Sequence, residues 1–290
     1  GQLPPAAAAG GGYIDAHSHV WTADTVRFPL GPWITPDQMD PPDFSAERLL
    51  AVAGPHGVDR VVLIQHAPYY GGDNAYLIDC ARRFPGRFSV VAIVDERRPD
   101  LADHLRRLRA QGVRGLRVGP TRYADRTMVK DPARWLEAPA MRALWARATE
   151  LGLVICPLVS ADYLPTLDPM LAALPDATVA IDHFGHAEKP DEVRDLLKLA
   201  RHRRVHVKAS GLYKFGDRRA PYDDLSPMVR RVVDAFGPDR VLWGSDCPYQ
   251  LQGGNNYGDA VALFARGLDD LGPADRTAIL RDNARRLFFA

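Results

Sequence analysis

Eight short runs rich in β-branched residues recur along this 290-residue chain, each bounded by turn-forming residues. The runs cover residues 13–19, 60–66, 88–94, 113–119, 153–159, 178–184, 205–210 and 240–246. The segments between them carry apolar residues at helical spacing, as in Leu101, Leu105 and Leu108. Strand and helix therefore alternate throughout, a pattern typical of parallel strands joined by right-handed crossovers.

The number of these units separates two possible α/β architectures. Eight units close into a barrel without free edges, whereas a doubly wound open sheet usually has about six strands and a glycine-rich phosphate loop after the first. Here the first run ends in HSHVW instead. The sequence therefore predicts a (β/α)₈ TIM barrel. We expect one domain over residues 13–290, preceded by a flexible leader over residues 1–12, and a terminal helix over residues 279–288 packed on the outside.

The balance of charge limits the partners of the chain. Lysine and arginine total 37 against 36 aspartate and glutamate, so no broad basic field is available to attract nucleic acid or anionic lipid. No run approaches the roughly 20 apolar residues of a membrane helix. We expect a soluble, cytoplasmic protein with a small-molecule substrate, or one exported after removal of an N-terminal signal. The sequence carries no sign of an oligomeric state.

The polar residues that could take part in catalysis lie near the ends of three predicted strands. Asp15, His17 and His19 are expected to share one face of the first strand, because alternate side chains point the same way. His183 ends the sixth run and Asp246 the eighth. A carboxylate and imidazoles converging on one rim suit hydrolysis, which needs a base for water and groups that stabilise an oxyanion. Taken singly, His183 could be a core histidine and Asp246 a helix N-cap.

Four segments in order, IDAHSHVW, IDHFG, VKASGLY and WGSDCPY, resemble the amidohydrolase-related TIM-barrel hydrolases of the amidohydrolase superfamily, and within them the lactonase branch. The resemblance spans residues 13–290 and implies a hydrolase that opens a lactone of a sugar acid or of an aromatic-degradation intermediate. It makes Asp246 the general base for water, with His17 and His19 polarising the carbonyl or holding a metal. His183 would stabilise the tetrahedral intermediate or hold a substrate carboxylate.

Six further residues are candidates for substrate binding: Arg117, His66, Tyr69, Asn74, Lys208 and Tyr213. Arg117, on the fourth strand, could grip a carboxylate with two hydrogen bonds, or close the barrel through an ion pair. His66 ends the second strand before a loop that resembles the substrate-facing loop of the family, although it could equally be surface packing. Lys208 could instead neutralise a carboxylate inside the barrel.

The metal content is left open by the sequence. His17, His19 and Asp246 would supply three ligands to one divalent ion, zinc or manganese, with a position free for water. Related decarboxylases have a histidine on strand five, and two-metal relatives have a carbamylated lysine on strand four. This chain has neither, which argues against a two-metal site. A metal-free site is feasible because a lactone is a reactive ester.

Two other functions remain as alternatives. One is a metal-dependent, non-oxidative decarboxylase of the same superfamily, against which the missing strand-five histidine argues. The other is a barrel that binds a small carboxylate without turnover, in which Asp246 would have no evident role. Hydrolysis of a lactone is the preferred hypothesis.

Overall fold

The computed structural model describes residues 11–127, 129 and 131–290, so the predicted leader lies outside the described residues except for its last two. Eight parallel strands form one sheet in which neighbours follow sequence order. They are β1 (Tyr13–Ser18), β2 (Val58–Ile64), β3 (Phe88–Ala92), β4 (Val113–Val118), β5 (Val154–Pro157), β6 (Val179–Ile181), β7 (Val205–Ala209) and β8 (Val241–Trp243). The predicted (β/α)₈ barrel is confirmed.

The strands alternate with helices, most of which cover the outside of the barrel. They are α1 (Ala46–Ala53), α2 (Ala67–Tyr70), α3 (Ala75–Arg83), α4 (Leu101–Ala110), α5 (Pro139–Glu150), α6 (Leu164–Ala173), α7 (Pro190–Lys198), α8 (Ser226–Phe236), α9 (Tyr257–Ala262), α10 (Pro273–Thr277) and α11 (Asn283–Phe288). In α8, for example, Val229, Val232 and Phe236 form the buried face. Within the described part of the chain, we find no helix with the length and apolar character needed to cross a membrane.

The barrel closes where the end of β1 meets the segment after β8. The backbone N–H of Asp246 donates to the carbonyl of His17 over 2.8 Å, and the N–H of His19 donates to the carbonyl of Cys247 over 2.8 Å. The approach is so close that a Cβ at Gly244 would lie 2.8 Å from the Cβ of His17, a distance that a larger residue could not accommodate. This closure brings the two histidines beside Asp246.

The end of β1 does not keep the regular alternation of a strand. Asp15 pairs with Val61 and Ser18 pairs with Leu63, so three steps along β1 correspond to two along β2. Asp15 therefore does not share a face with His17, and that prediction was wrong. Its buried carboxylate accepts hydrogen bonds from Ser245 and Tyr257 instead. A local bulge of this kind redirects the side chains that follow it.

The terminal helix α11 lies across the amino-terminal end of the barrel. Its residues Ala284 and Phe288 pack in one cluster with the barrel residues Ile14, Val62 and Leu242. The prediction that residues 279–288 pack on the outside holds for Ile279 and Leu280, which belong to the core shared with the outer helices. It was wrong for α11, which instead supplies an apolar cover for the open end of the barrel. The amino-terminal end is thus filled by side chains.

Two of the strands that are shorter than predicted, β6 and β8, end where the chain turns sharply. β6 ends at Ile181 and β8 at Trp243. Beyond them His183 has φ 51° and Asp246 has φ 59°. Left-handed φ values are uncommon for residues other than glycine and concentrate at functional sites. The two candidate catalytic residues therefore project from tight turns at the carboxyl end of the barrel.

Candidate active site

A cavity of about 450 Å³ opens at the carboxyl end of the barrel. The predicted residues that line it are His19, His66, Arg117, His183 and Asp246. Three cationic side chains face it, those of Arg117, Arg126 and Lys214. Among the described residues of its lining, Asp246 is the one carboxylate. The cavity is therefore suited to a ligand that carries negative charge.

Asp246 is a buried carboxylate surrounded by donors. Its Oδ2 accepts a hydrogen bond of 2.6 Å from the Tyr213 hydroxyl and one of 3.0 Å from Lys214 Nζ. Burial raises the pKa of this carboxyl, but the His183 ring and the Lys214 ammonium more than offset burial and hold the pKa well below its ordinary value. Asp246 is thus an ionised group that can accept a proton. Tyr213, predicted to bind substrate, contacts Asp246 through this bond but does not itself line the cavity.

His19 is fixed in one tautomer by the backbone. Its Nδ1 lies 2.8 Å from the carbonyl oxygen of Ile64, which can only accept, so Nδ1 carries the hydrogen. Burial lowers the pKa of His19, which favours the neutral ring. The remaining nitrogen, Nε2, lies 3.4 Å from Asp246 Oδ1. Two acceptors therefore stand side by side at the cavity wall.

His17 is fixed in the same way, but by charged side chains. Arg117 Nη2 lies 2.7 Å from His17 Nε2, and a guanidinium can only donate. His17 Nδ1 lies 3.3 Å from Asp182 Oδ1. Burial lowers the pKa of His17 to about 3, so the ring is neutral with its hydrogen on Nδ1. His17 lies behind the cavity wall, in contact with Arg117.

Asp182 was missed by the sequence interpretation, although it stands in the IDHFG segment directly after β6. It is fully buried, with Lys208 Nζ 2.9 Å from its Oδ1 and Arg117 Nε 3.2 Å from its Oδ2. Burial raises the pKa of this carboxyl, and the nearby Lys208, His17 and Arg117 lower it well below its usual value. Asp182 is therefore the anionic centre beneath the site.

This network decides between the two interpretations of Lys208 and Arg117. Lys208 is fully buried against Asp182 and does not reach the cavity, so its expected contact with substrate is not found. Arg117 forms the ion pair that the sequence allowed. Its side chain also lines the cavity, and its Nη1 makes no hydrogen bond among the described residues.

His183 stands opposite His19 across Asp246. Its Nδ1 lies 2.9 Å from the Ser210 hydroxyl, and its Nε2 lies 3.8 Å from Asp246 Oδ2. Its ring centre is 4.4 Å from that of His17. Burial lowers the pKa of His183 well below its ordinary value, although the nearby Asp246 carboxylate acts in the opposite direction. This neutral imidazole can hold or pass a proton at Nε2.

The loop after β2 reaches the cavity through His66, whose Nε2 lies 2.6 Å from the Tyr249 hydroxyl. Tyr69 and Asn74 do not line the cavity, contrary to expectation. The Tyr69 hydroxyl accepts from a backbone N–H in the preceding loop over 2.9 Å. Asn74 holds Ile93 with two bonds of 2.9 Å, one in each direction. Their polar groups are thus used to shape the loops.

Several cavity residues were not singled out from the sequence, among them Arg126, His186, Lys214 and Tyr249. Lys214 directly follows the KASGLY segment and Tyr249 ends WGSDCPY, so an extension of those motifs was the available signal. His186 is oriented by a 2.8 Å contact from Nδ1 to the Val159 carbonyl. Arg126 lies in the loop after β4, where no motif marks it.

Three side chains at the site could supply ligands to a metal ion. One ligand atom each from His17, His19 and Asp246 lies within 4.8 Å of the others, a set that matches a three-ligand catalytic site. The His17 atom that faces Asp246 is Nε2, and its lone pair already accepts the hydrogen bond from Arg117. In this arrangement two of the three donors are open to a metal, and the third is engaged.

The comparisons place the chain in a family. Residues 14–290 match the amidohydrolase family model. Over 288 residues the chain is 33% identical to an L-fucono-1,5-lactonase of Burkholderia ambifaria, with 93% of each chain covered. Over 252 residues it is 31% identical to a 2-pyrone-4,6-dicarboxylate hydrolase of Comamonas testosteroni, covering 82% of this chain and 77% of that one.

A solved structure agrees with this assignment. An amidohydrolase from Burkholderia multivorans, crystallised with bound zinc, superposes with a TM-score of 0.79 at 25% identity, covering 95% of this chain and 98% of that one. The predicted resemblance to the lactonase branch is confirmed. The chain therefore belongs to the amidohydrolase family, in the branch that contains these lactone hydrolases.

Proposed function

We propose that this protein hydrolyses a lactone that carries a negatively charged group. The observation that carries the proposal is the cavity itself, in which Arg117, Arg126 and Lys214 surround the single carboxylate Asp246. The cations favour an anionic substrate, and the ionised carboxylate supplies the base. The lactonase and pyrone hydrolase names of the relatives support the same class of reaction.

The attacking water would be held by the two acceptors at the cavity wall. His19 Nε2 and Asp246 Oδ1 lie 3.4 Å apart, so one water can donate a hydrogen to each and present its oxygen to the substrate. As that oxygen bonds to the ring carbonyl carbon, Asp246 takes the proton. A positioned base of this kind contributes about 10²–10⁴-fold to the rate.

The negative charge that forms on the carbonyl oxygen needs donors fixed in advance. Arg117 and Lys214 line the cavity and are the cationic side chains that could donate hydrogen bonds to this oxygen. When the intermediate collapses, the bond between carbonyl carbon and ring oxygen breaks. The proton held by Asp246 passes to that ring oxygen, and the product is a hydroxy acid.

The charged group of the substrate would be held by Arg126. This side chain is exposed and lines the cavity, and none of the described carboxylates pairs with it. Its loop is tied on the neighbouring side, since the N–H of Gly72 donates to the carbonyl of Ala124 over 3.0 Å. Arg126 is thus an available cation two residues after this anchored position.

A divalent ion is not part of this mechanism. Zinc or manganese, if bound, would act as a Lewis acid toward the carbonyl, held by His19 and Asp246. Its third ligand, His17, would first have to lose the hydrogen bond from Arg117. The steps above therefore use only side chains of this chain.

The test is a panel of lactones that differ in charge, with ring opening followed by a pH indicator. We expect turnover of acidic lactones at a kcat/KM at least tenfold above that of neutral lactones of the same ring size. Carbon dioxide release from aromatic or pyrone carboxylates, without ring opening, would instead establish the decarboxylase alternative. Tight binding of these acids with no turnover of any lactone would favour a binding protein.

A further inference from the structure

We infer that Arg117 and a divalent metal ion compete for Nε2 of His17, so that the protein holds such an ion with two side chains rather than three. The inference concerns metal affinity and does not rest on the proposed activity. Three observations carry it: the hydrogen bond to His17, the anchoring of Arg117, and the state of the other two donors.

The hydrogen bond occupies the lone pair that a metal would need. Arg117 Nη2 lies 2.7 Å from His17 Nε2, within the range of a strong N–H···N contact. The other ring nitrogen, Nδ1, faces Asp182 Oδ1 at 3.3 Å and keeps its hydrogen there. His17 therefore has no second free nitrogen with which to bind an ion.

Arg117 is held in place by a buried ion pair. Its Nε and Nη2 each lie 3.2 Å from Asp182 Oδ2. Asp182 is itself bound by Lys208 at 2.9 Å, and both of these side chains are fully buried. Rotation of Arg117 away from His17 would strain contacts with an unsolvated carboxylate, which are expensive to break. The Arg117 guanidinium is therefore held in its position beside His17 Nε2.

The two remaining donors are open. His19 has its hydrogen on Nδ1, and its Nε2 lies 3.4 Å from Asp246 Oδ1. Two acceptors this close attract a cation, so a divalent ion can reach them from the cavity. A site with two protein ligands is weak, however, and the guanidinium beside it repels a second positive charge. Weak zinc binding is the expected result.

The experiment is a zinc titration in competition with a chromogenic chelator, on protein freed of metal by dialysis. Wild type is compared with Arg117→Met, which opens His17 Nε2, and with Arg126→Met, which removes a cavity cation that has no bond to His17. We expect zinc affinity to rise at least tenfold in Arg117→Met and by less than threefold in Arg126→Met. A tenfold change corresponds to about 1.4 kcal/mol, which is about what one hydrogen bond to a charged group contributes.

Two results of the titration would overturn the inference. One is wild-type protein that binds one zinc ion as tightly as Arg117→Met does. The other is an equal gain in both variants, which would show that charge alone, rather than access to His17, sets the affinity.

A second measurement needs no variant and so does not depend on the folding of Arg117→Met. In ¹⁵N spectra of histidine-labelled wild type, His17 should show a protonated Nδ1 and a hydrogen-bonded, unprotonated Nε2. Added zinc should shift Nε2 of His19 and leave His17 unchanged. A zinc-dependent shift at His17 Nε2 in wild type would contradict the competition.

Discussion

Lys208 Nζ lies 2.9 Å from Asp182 Oδ1, at a depth where neither side chain is exposed. The pair stands beneath the site, and Asp182 also holds Arg117 and faces His17. A carboxylate in this position compensates two cations that burial would otherwise leave unsolvated. Removal of the Asp182 charge should therefore lower the stability of the whole barrel.

Asp182→Asn should lower the free energy of unfolding by about 3–5 kcal/mol, because it leaves Lys208 and Arg117 buried without a counter-charge. Urea denaturation measures the loss. The control is Asp103→Asn, which breaks an exposed ion pair with Arg106 and should cost under about 1 kcal/mol. Adding Lys208→Met to Asp182→Asn should restore part of the stability. Equal losses in the two single variants would contradict a structural role for the buried pair.

Asp246→Asn should lower kcat by about 10²–10⁴-fold, since the amide cannot accept the proton of the attacking water. Asparagine tolerates left-handed backbone, so the turn at φ 59° should survive the change. Ring-opening kinetics with an unfolding curve for each protein separate chemistry from folding. A variant that keeps more than half of the parent kcat would remove Asp246 from the role of base.

Arg126→Met should raise KM for acidic lactones by about tenfold and leave KM for neutral lactones within about twofold, because one charge-assisted contact is worth roughly 1.5 kcal/mol. Arg122→Met is the matched control. Arg122 lies on the same loop, but it is paired with Glu96 at 3.0 Å and does not line the cavity. A similar rise in KM for both kinds of lactone, or in both variants, would assign Arg126 to loop structure.

His206 should make the protein less stable as pH falls below neutrality. Burial, with smaller effects from Arg286 and Arg240, lowers the pKa of this histidine to about 4, whereas its ordinary value is 6.5. Between these values the unfolded chain binds a proton that the folded chain does not, so the free energy of unfolding falls as pH drops from 6.5 toward 4. The contribution of His206 to that fall is up to about 3 kcal/mol.

His206→Gln tests this, because glutamine keeps a donor for the backbone carbonyls of Val179 and Arg204 but does not titrate. Urea unfolding of both proteins at several pH values gives the difference directly. We expect wild type to lose stability relative to the variant across this window. Parallel curves would show that His206 is already protonated, or solvated, in the folded protein.

The barrel and the position of its site could be predicted from sequence because both depend on local pattern. Period-two strands separated by helical spacing imply parallel strands, and polar residues at their carboxyl ends must converge. The alternation of side chains along β1 correctly predicted that His19 lies at the site, but it was wrong for the direction of Asp15. The bulge there is stabilised by hydrogen bonds to Ser245, which is 230 residues away in the chain. Local pattern holds no information about that contact.

The network beneath the site could not be predicted for a related reason. Arg117 and Asp182 are 65 positions apart, and only the closed barrel shows that their charges meet. Both a substrate clamp and an ion pair were consistent with the sequence of β4. The choice depended on a distance across the barrel, as did the burial of Lys208.

The position of α11 has a consequence for how the enzyme would release its product. Because Ala284 and Phe288 fill the amino-terminal end of the barrel, the described cavity opens at the carboxyl end only. Substrate must then enter, and product must leave, through the same opening of the cavity. Ring opening turns a neutral ester into a carboxylate, so the departing acid carries one more negative charge past the same cations that attracted the lactone. We expect the hydroxy acid to dissociate slowly from the cavity and to act as a competitive inhibitor. Turnover should then slow as the product accumulates.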